Sequence, residues 1–231
     1  MSKSKSIVQG EFLDRECFIY QLPSLTSDEY LPWCIELLKQ YFNDEMNSIK
    51  VVKRVKSYNN WDKHKDFKGI DSMSNRGEEQ WVLNLFKNAQ KDSMKTELFG
   101  VLLDYQVPLK NSRVDKGYGK IDFVSKSVDD SIFYINEVKA DYSPESILKP
   151  VCEIITYEHQ FDKEKMLKDF GLNQDTKIVK RVIIFDNTKA YKELTGKYQK
   201  EANEDIKKLI NNYNVEVIVI KQNVSYEKVE Y

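Results

Sequence analysis

Cysteine and histidine are scarce in this chain of 231 residues, and their spacing excludes two kinds of site. The three cysteines, Cys17, Cys34 and Cys152, are scattered with no CxxC spacing, and the only histidines are His64 and His159. Structural zinc sites use clustered cysteines and histidines, and disulfide frameworks belong to small secreted domains that are rich in cysteine. We therefore expect neither a structural zinc site nor a disulfide framework.

No charge of one sign dominates, because 36 basic residues stand against 37 acidic ones and the net charge is −1. Such a chain has no global field that would draw it onto a polyanion, so any binding of nucleic acid must be local. Long hydrophobic runs are also missing: no stretch approaches the roughly 18 apolar residues of a membrane span, and the N-terminus lacks the apolar core of a signal peptide. We expect a cytoplasmic protein with reduced thiols and no membrane partner.

The chain does contain enough apolar material for one main core. Its hydrophobic fraction is 41%, with 12% aromatic residues, which is ordinary for a globular protein of this length. We expect an N-terminal extension at residues 1–70 and the main domain at residues 71–231. Hydrophobic patterns in the extension predict hairpin strands at 6–12 and 17–22, an amphipathic helix at 26–43 and a strand at 49–57.

In the main domain, hydrophobic periodicity alternates between the helical and the strand pattern. Two nearly continuous β-branched runs, at 179–185 and 215–220, flank a polar helix and predict a buried parallel pair. The fold class is therefore α/β, with a mixed sheet and helices on both faces. Pro150 should kink its helix or mark the true start of that helix. The other predicted elements are helices at 76–91, 143–170 and 190–213 and strands at 99–108, 119–126 and 131–140.

Positive charge is concentrated in two short stretches. Residues 50–68 hold seven Lys or Arg against two Asp, interleaved with aromatic rings, a composition that suits phosphates and stacked bases. The second stretch approaches Asp122 and can grip phosphates beside it. For both stretches the alternative is ordinary loop solubility. The second stretch consists of Lys110, Arg113, Lys116 and Lys120.

The residues that point most directly to chemistry lie on two adjoining strands of a predicted hairpin. On the second strand, Glu137 and Lys139 share one face by the two-residue period. Asp122 lies on the first strand, where its carboxylate can approach Glu137, and two close carboxylates repel unless a cation or proton joins them. Mg²⁺ suits such a pair, because it prefers oxygen ligands and keeps water in its shell. The alternative is a sheet-edge salt bridge between Glu137 and Lys139.

Glu78 is a further acid with a predicted inward direction. Counting back from Trp81, Val82 and Leu85 places Glu78 in the middle of the apolar stripe of its helix. A buried carboxylate is unfavourable unless a positive group meets it. The alternative is a first-turn glutamate that the helix dipole favours.

This pattern resembles the PD-(D/E)XK nuclease superfamily, whose restriction-endonuclease-like fold is a mixed β-sheet flanked by helices. Asp122 matches the first acid of the family motif, Glu137 the second acid and Lys139 the lysine. The resemblance covers residues 76–160, with the hairpin and helix of the N-terminus as a small extension. It implies a site that binds Mg²⁺, or Mn²⁺ in its place.

The resemblance also implies roles for residues around the motif. The carbonyl of Val138 would be a further metal ligand, and Glu78 matches the glutamate that many members place at the site. The chain departs from the family at Ile121, where many members have proline, and at Glu153, where one subgroup has glutamine. Tyr157 shares a helix face with Glu153 and is a candidate contact for the nucleic-acid backbone; the alternative is a tyrosine at the edge of the core.

The function that the resemblance implies is a Mg²⁺-dependent endonuclease acting on DNA, of the restriction or phage-defence type. RNA stays open as a substrate, because phosphodiester chemistry is indifferent to the bases. Many enzymes with this fold cut as dimers, so analogy implies a homodimer. The alternative is an inactive protein that keeps the fold for nucleic-acid binding or assembly, against which the complete set of Asp122, Glu137 and Lys139 argues.

Overall fold

The computed structural model describes residues 51–66, 77–112, 115, 118–196, 200–221 and 226–229. The predicted hairpin at 6–12 and 17–22 and the predicted helix at 26–43 lie outside these residues. The helices are α1 (Trp61–His64), α2 (Gly77–Ala89), α3 (Leu148–Gln160), α4 (Lys163–Asp169), α5 (Lys189–Leu194) and α6 (Lys200–Asn212). The strands are β1 (Lys95–Thr96), β2 (Gly100–Pro108), β3 (Lys120–Lys126), β4 (Ile132–Val138), β5 (Lys177–Phe185), β6 (Val215–Ile220) and β7 (Tyr226–Val229).

The strands form one mixed sheet in the order β1 to β7. Neighbours from β1 to β4 are antiparallel, β4, β5 and β6 are parallel, and β7 returns antiparallel to β6. Parallel neighbours need a crossover, which α3 and α4 supply between β4 and β5, and α5 and α6 between β5 and β6. The α/β class, the mixed sheet flanked by helices and the predicted parallel pair are therefore confirmed.

Both faces of the sheet are covered by apolar side chains. On one face, Phe133 and Ile135 pack in a core with residues of α3 and α4, and on the other face Phe123 and Val138 pack with residues of α2. Successive residues of a strand point to opposite faces. Position 137 of β4, and position 139 just beyond it, therefore lie on the face that α3 covers.

The segment at 51–66 lies beside the outer edge of β2. Asp104 of β2 is fully buried, and its carboxylate accepts the Asn60 backbone N–H at 2.6 Å and lies 2.7 Å from Nδ1 of His64. Further along, Arg54 donates a hydrogen bond to the carbonyl of Lys110. Side-chain hydrogen bonds at two points thus hold the segment against β2.

The predicted strand at 49–57 is wrong over the part that the structure describes. Val52 makes a single parallel bridge with Phe161, and the rest of 51–57 contains no strand residue. Tyr58 is fully buried in the core on the α3 face, so side-chain packing replaces strand pairing here. The division of the chain at residue 70 stays a prediction, because residues 1–50 and 67–76 lie outside the described ranges.

The start of α3 also differs from the prediction of a helix from residue 143. The buried carboxylate of Glu193 accepts hydrogen bonds from Ser146 Oγ at 2.9 Å and from the Ile147 N–H at 2.8 Å. These bonds hold the preceding chain in a turn, so α3 begins at Leu148. Pro150 falls in the first turn, where proline is tolerated, and the prediction that it marks the true start is confirmed.

The predicted helix at 190–213 is wrong as a single element, because the chain forms α5 and α6 instead. Gly196 has a φ of +70°, a left-handed conformation that glycine adopts without strain and that ends α5. In the part of the chain that the structure describes, no helix is both long enough and apolar enough to span a membrane.

Candidate active site

β3 and β4 separate at the point where Asp122 would pair with Glu137. The last ladder pair of these strands is Phe123 with Asn136, so Asp122 and Glu137 occupy the next positions. Here Oδ2 of Asp122 accepts the backbone N–H of Val138 at 2.8 Å. The aspartate carboxylate takes the place of a strand carbonyl and brings the two predicted acids to the same point of the sheet.

The carbonyl of Val138 is directed toward the same place. The N–H and C=O of one strand residue point to the same neighbour, and the N–H of Val138 points to Asp122. Lys139, the next residue, donates its N–H in the other direction, to Ile183 O at 2.9 Å. The oxygen of Val138 therefore faces β3, on the side of Asp122.

Lys139 collects four glutamates around its ammonium group. Its side chain is buried, with 4% of the residue exposed. Nζ lies 2.8 Å from Glu153 Oε2, 3.0 Å from Glu137 Oε1, 3.3 Å from Glu145 Oε2 and 3.9 Å from Glu78 Oε1. Nζ donates a hydrogen bond to Glu137 and forms ion pairs with the other three glutamates. The four glutamates come from β4, α3, the loop before α3 and α2.

Together with Asp122, these glutamates outnumber the two positive charges beside them, which are Lys139 and, paired with Glu145, Lys149. Burial raises the pKa of Glu137 well above its usual range, and the nearby carboxylate of Asp122 raises it further. Burial also raises the pKa of Asp122, to about 7, although Lys139 opposes this. Burial would lower the pKa of Lys139, but the glutamates outweigh it and hold this pKa well above the usual range. Asp122 and Glu137 are therefore harder to ionise than exposed carboxyl groups, and an added cation would favour the loss of their protons.

One oxygen of Glu137 supports the same conclusion. Glu137 is 4% exposed, and its buried Oε2 accepts no N–H or O–H hydrogen bond from the described residues, although the carboxyl of Glu153 lies close enough to share a proton with Glu137. An unpaired buried carboxylate oxygen is unfavourable, and either a proton shared with Glu153 or a cation would satisfy it. Two carboxylates and the Val138 carbonyl are oxygen donors of the kind that Mg²⁺ takes, with water completing its shell, so the donor set fits Mg²⁺.

A larger metal site is not present among the described residues. Within these ranges, no group of three or more His, Cys, Asp or Glu side chains is arranged to hold a metal ion. The ammonium of Lys139 lies between the carboxylates of Glu137 and Glu153. The predicted ligand set needs two carboxylates only, Asp122 and Glu137.

Glu78 reaches this site from the start of α2. A Cβ on Gly77 would lie 2.9 Å from Cβ of Ala140, so glycine allows α2 to begin this close to the end of β4. Burial raises the pKa of Glu78, while the Lys139 ammonium and the backbone N–H of Ala140 oppose that rise. Glu78 is thus turned inward toward a positive partner, and its role in catalysis stays a prediction.

Gln106 lies next to Asp122 on the other side. In the β2–β3 register it falls between the pairs Tyr105 with Phe123 and Val107 with Ile121, which places it opposite Asp122. Its Nε2 donates to Oδ1 of Asp122 at 3.3 Å. Three adjacent strands therefore carry Gln106, Asp122 and Glu137 in one row across the sheet.

The predicted nucleic-acid contacts fall in different surroundings. Lys120 is exposed, and its Nζ donates to Oε1 of Gln106 at 3.4 Å. Lys110 is half-buried. Arg113 and Lys116 lie outside the described residues. Only Lys120 is thus both exposed and joined to the site among the described members of this stretch.

Tyr157 lies in the core and not on the surface. It is 5% exposed, and a Cβ added to Gly119 would lie 2.4 Å from its hydroxyl oxygen. Its ring therefore packs beside the start of β3. Glu153, four residues earlier on α3, reaches Lys139. The contact of Tyr157 with nucleic acid stays a prediction.

Sequence reasoning missed two residues of the site, Gln106 and Glu145. A signal existed for Gln106, because it is a polar residue on the strand before the one that carries Asp122, and strand pairing can bring it opposite Asp122. Glu145 lies in a loop, where no periodicity applies, and Glu193 fixes that loop from 48 positions further along the chain.

Comparisons of the chain with protein-family models, curated proteins and solved structures found no match.

Proposed function

We propose that this chain is a metal-dependent nuclease of the PD-(D/E)XK kind that hydrolyses phosphodiester bonds of DNA. The observation that carries the proposal is the meeting of Asp122, Glu137 and Lys139 where β3 and β4 separate. The alternative of a sheet-edge salt bridge predicts an exposed pair with balanced charge. Lys139 is instead buried among more carboxylates than it can neutralise.

The order of elements supports the restriction-endonuclease-like fold. Helix α2 precedes the antiparallel strands β2, β3 and β4, and α3 then leads to β5, which is parallel to β4. The acids lie on the second and third strands of this meander, as the family pattern requires. This support rests on an analogy between folds, whereas the proposed function rests on the chemistry of the site.

Mg²⁺ is the cofactor that we propose, with Mn²⁺ able to replace it. Asp122, Glu137 and the carbonyl of Val138 would hold the ion. The chemistry that a bound Mg²⁺ supplies is polarisation of the scissile phosphate and activation of a water molecule. Asp122 and Glu137 would release the protons that their raised pKa values retain in the metal-free protein.

Lys139 suits a phosphate better than it suits a role as general base. Its raised pKa keeps the amine protonated at neutral pH, so it cannot accept a proton there. A positive charge beside the metal ligands stabilises the charge that builds up on the phosphate in the transition state. Glu145 and Glu153 hold the ammonium at this place.

Local charge and the fold are what support a nucleic acid as the proposed substrate. The net charge of −1 leaves phosphate binding to local groups, and Lys120 is an exposed cation beside Gln106 and Asp122. The preference for DNA over RNA, a restriction or phage-defence role, a homodimer and a cytoplasmic location are part of the proposal by analogy alone.

Cleavage assays test the proposal directly. Purified protein is incubated with supercoiled plasmid, linear duplex, single-stranded DNA and RNA, each with Mg²⁺, Mn²⁺ or EDTA. Asp122→Asn removes a ligand charge and Lys139→Met removes the ammonium at nearly constant size. Asp129→Asn, in the exposed β3–β4 turn, and Lys180→Met, paired with Glu158, are the matched controls.

The expected result is cleavage that needs a divalent ion, is lost with Asp122→Asn and Lys139→Met, and persists in both controls. The loss should be at least about 100-fold, since Asp122→Asn weakens metal binding and Lys139→Met removes a positive charge beside the reacting phosphate. A folded wild-type protein that binds nucleic acid without cutting any substrate would replace this function with that of an inactive binding or assembly protein.

A further inference from the structure

Gln106 has an unusual backbone conformation for a strand residue. Its φ is +51°, in the left-handed region, although it lies inside β2 between two regular ladder pairs. Residues with a side chain avoid this region, and glutamine lacks the short side chain that helps asparagine adopt it. Strain of this kind persists where the surrounding structure gains from it, and such places cluster at functional sites.

The side chain of Gln106 has one orientation that chemistry allows. Nε2 lies 3.3 Å from Oδ1 of Asp122, and Oε1 lies 3.4 Å from Nζ of Lys120. An ammonium can only donate hydrogen bonds, so the amide oxygen must be the atom that faces Lys120. The amide must therefore turn its NH₂ to Asp122 and its oxygen to Lys120.

Asp122 is consequently held at both oxygens. Its Oδ2 accepts the Val138 N–H at 2.8 Å, and its Oδ1 accepts from Gln106. Each carboxylate oxygen has two lone pairs, so one remains on each oxygen for a metal ion. A ligand fixed in this way binds an ion without first losing side-chain freedom.

We propose that Gln106 is a positioning residue, whose strained backbone aims an amide that fixes Asp122 for a divalent ion and joins it to the exposed Lys120. This inference rests on the proposed function, because it assigns Asp122 as a metal ligand. It adds a third strand, β2, to the two strands that carry the motif.

The strain itself provides the test, because glycine adopts this conformation freely. Gln106→Gly removes the amide but suits a φ of +51°, so the variant should fold, with a melting temperature within about 5 °C of the wild type. Ser93→Gly is the matched control: Ser93 is exposed, has a φ of +54° and lies past the C-terminal end of α2, whose N-terminal end carries Glu78. Gln106→Asn keeps an amide on a shorter side chain that tolerates the same φ.

The measurements are Mn²⁺ affinity by calorimetry, thermal unfolding, and cleavage with kcat and KM determined separately. Gln106→Gly should bind Mn²⁺ about 10-fold more weakly, as is usual when a group that orients a ligand is lost. Gln106→Asn should recover part of this affinity, and Ser93→Gly should leave it unchanged. Weaker Mn²⁺ binding in a protein that cuts nothing would support the role of Gln106 and reject the nuclease.

Unchanged Mn²⁺ affinity in Gln106→Gly would overturn the inference about Gln106. If the wild type still cleaved with a divalent ion, the proposed nuclease function would stand. Equal weakening by Ser93→Gly would also overturn it, since the effect would then follow from backbone relief. A wild-type protein that bound no Mn²⁺ would overturn both proposals.

Discussion

Lys139 Nζ lies 2.8 Å from Glu153 Oε2, so a buried ion pair joins the strand that carries the motif to the helix that covers it. Glu153 is 8% exposed and Lys139 is 4% exposed. A buried pair of this kind adds little net stability over a well-packed apolar pair, but removing one partner leaves an uncompensated charge. The structure of the site therefore depends on Lys139, independently of any role of this residue in catalysis.

Replacement of this lysine should destabilise the protein in a pH-dependent manner. Lys139→Met leaves Glu78, Glu137 and Glu153 without this cation, while Glu145 keeps Lys149, and we expect a loss of about 3 kcal/mol in the free energy of unfolding at pH 7.5. At pH 5 Glu137 and Glu78, whose pKa values burial raises, protonate more readily, so the loss should shrink. Urea unfolding at both pH values measures it. Lys180→Met is the control, and an equal loss at both pH values in Lys139→Met would contradict this account.

Asp122 should make the metal-free protein less stable as the pH rises. Its pKa is raised from 3.8 to about 7, so between these values the folded state holds a proton that the unfolded state has released. The stability that Asp122 contributes is therefore present at pH 4 and lost as the pH approaches and passes 7. Asp122→Asn cannot titrate, and the difference in unfolding free energy between wild type and variant should fall across this window. A constant difference would rule out the shifted pKa.

Mn²⁺ should reverse this trend, because its ligands must lose their protons before it binds. The rise in melting temperature on adding Mn²⁺ should be larger at pH 8 than at pH 6, by several degrees for a chain of this size. Asp122→Asn should show little rise at either pH, whereas the exposed turn variant Asp129→Asn should match the wild type. An equal rise at both pH values would argue for binding elsewhere.

Glu193 should matter for the site although it lies outside it. Glu193→Ala leaves Ser146 and Ile147 without their buried acceptor, so we expect a loss of about 2 kcal/mol in unfolding free energy. The loop that carries Glu145 should also become more mobile, which amide hydrogen exchange measures. Glu204→Ala, on the exposed side of α6, is the control. Unchanged exchange in the loop would show that Glu193 does not hold it.

Asp104 should be the main attachment of the segment at 51–66. Asp104→Ala removes an acceptor from Asn60 and a partner from His64 in a fully buried place, with an expected loss of about 3 kcal/mol. Limited proteolysis should then cut within 51–66 sooner than in the wild type. Asp115→Ala, which removes a carboxylate on the neighbouring β2–β3 loop, is the comparison. Equal cutting rates in Asp104→Ala and wild type would place the attachment elsewhere.

The sequence was sufficient for those elements whose pattern is local. The predicted strand at 215–220 has the same bounds as β6, and β2, β3 and β4 begin and end within two residues of their predictions. Alternation along β4 also places Glu137 and Lys139 on one face, and hairpin pairing brings Asp122 opposite Glu137. Each of these inferences needs only period and neighbouring strands.

The features that were not predicted depend on contacts between distant residues. The start of α3 is set by Glu193, 46 positions beyond Ile147. Glu145 enters the site from a loop, and Gln106 enters through a φ that glutamine rarely adopts. The break between α5 and α6 follows a glycine that a helical pattern tolerates. The hydrophobic periodicity of the sequence predicts none of these features.

The attachment of 51–66 to β2 also bears on how the chain behaves in concentrated solution. β1 pairs only with the start of β2, and beyond Leu102 the outer side of β2 has no strand partner among the described residues. A bare strand edge is a template on which another chain can add a strand and begin aggregation. The buried carboxylate of Asp104 holds the irregular segment at 51–66 beside that edge, and the segment thereby hinders strand pairing between β2 and another copy of the protein.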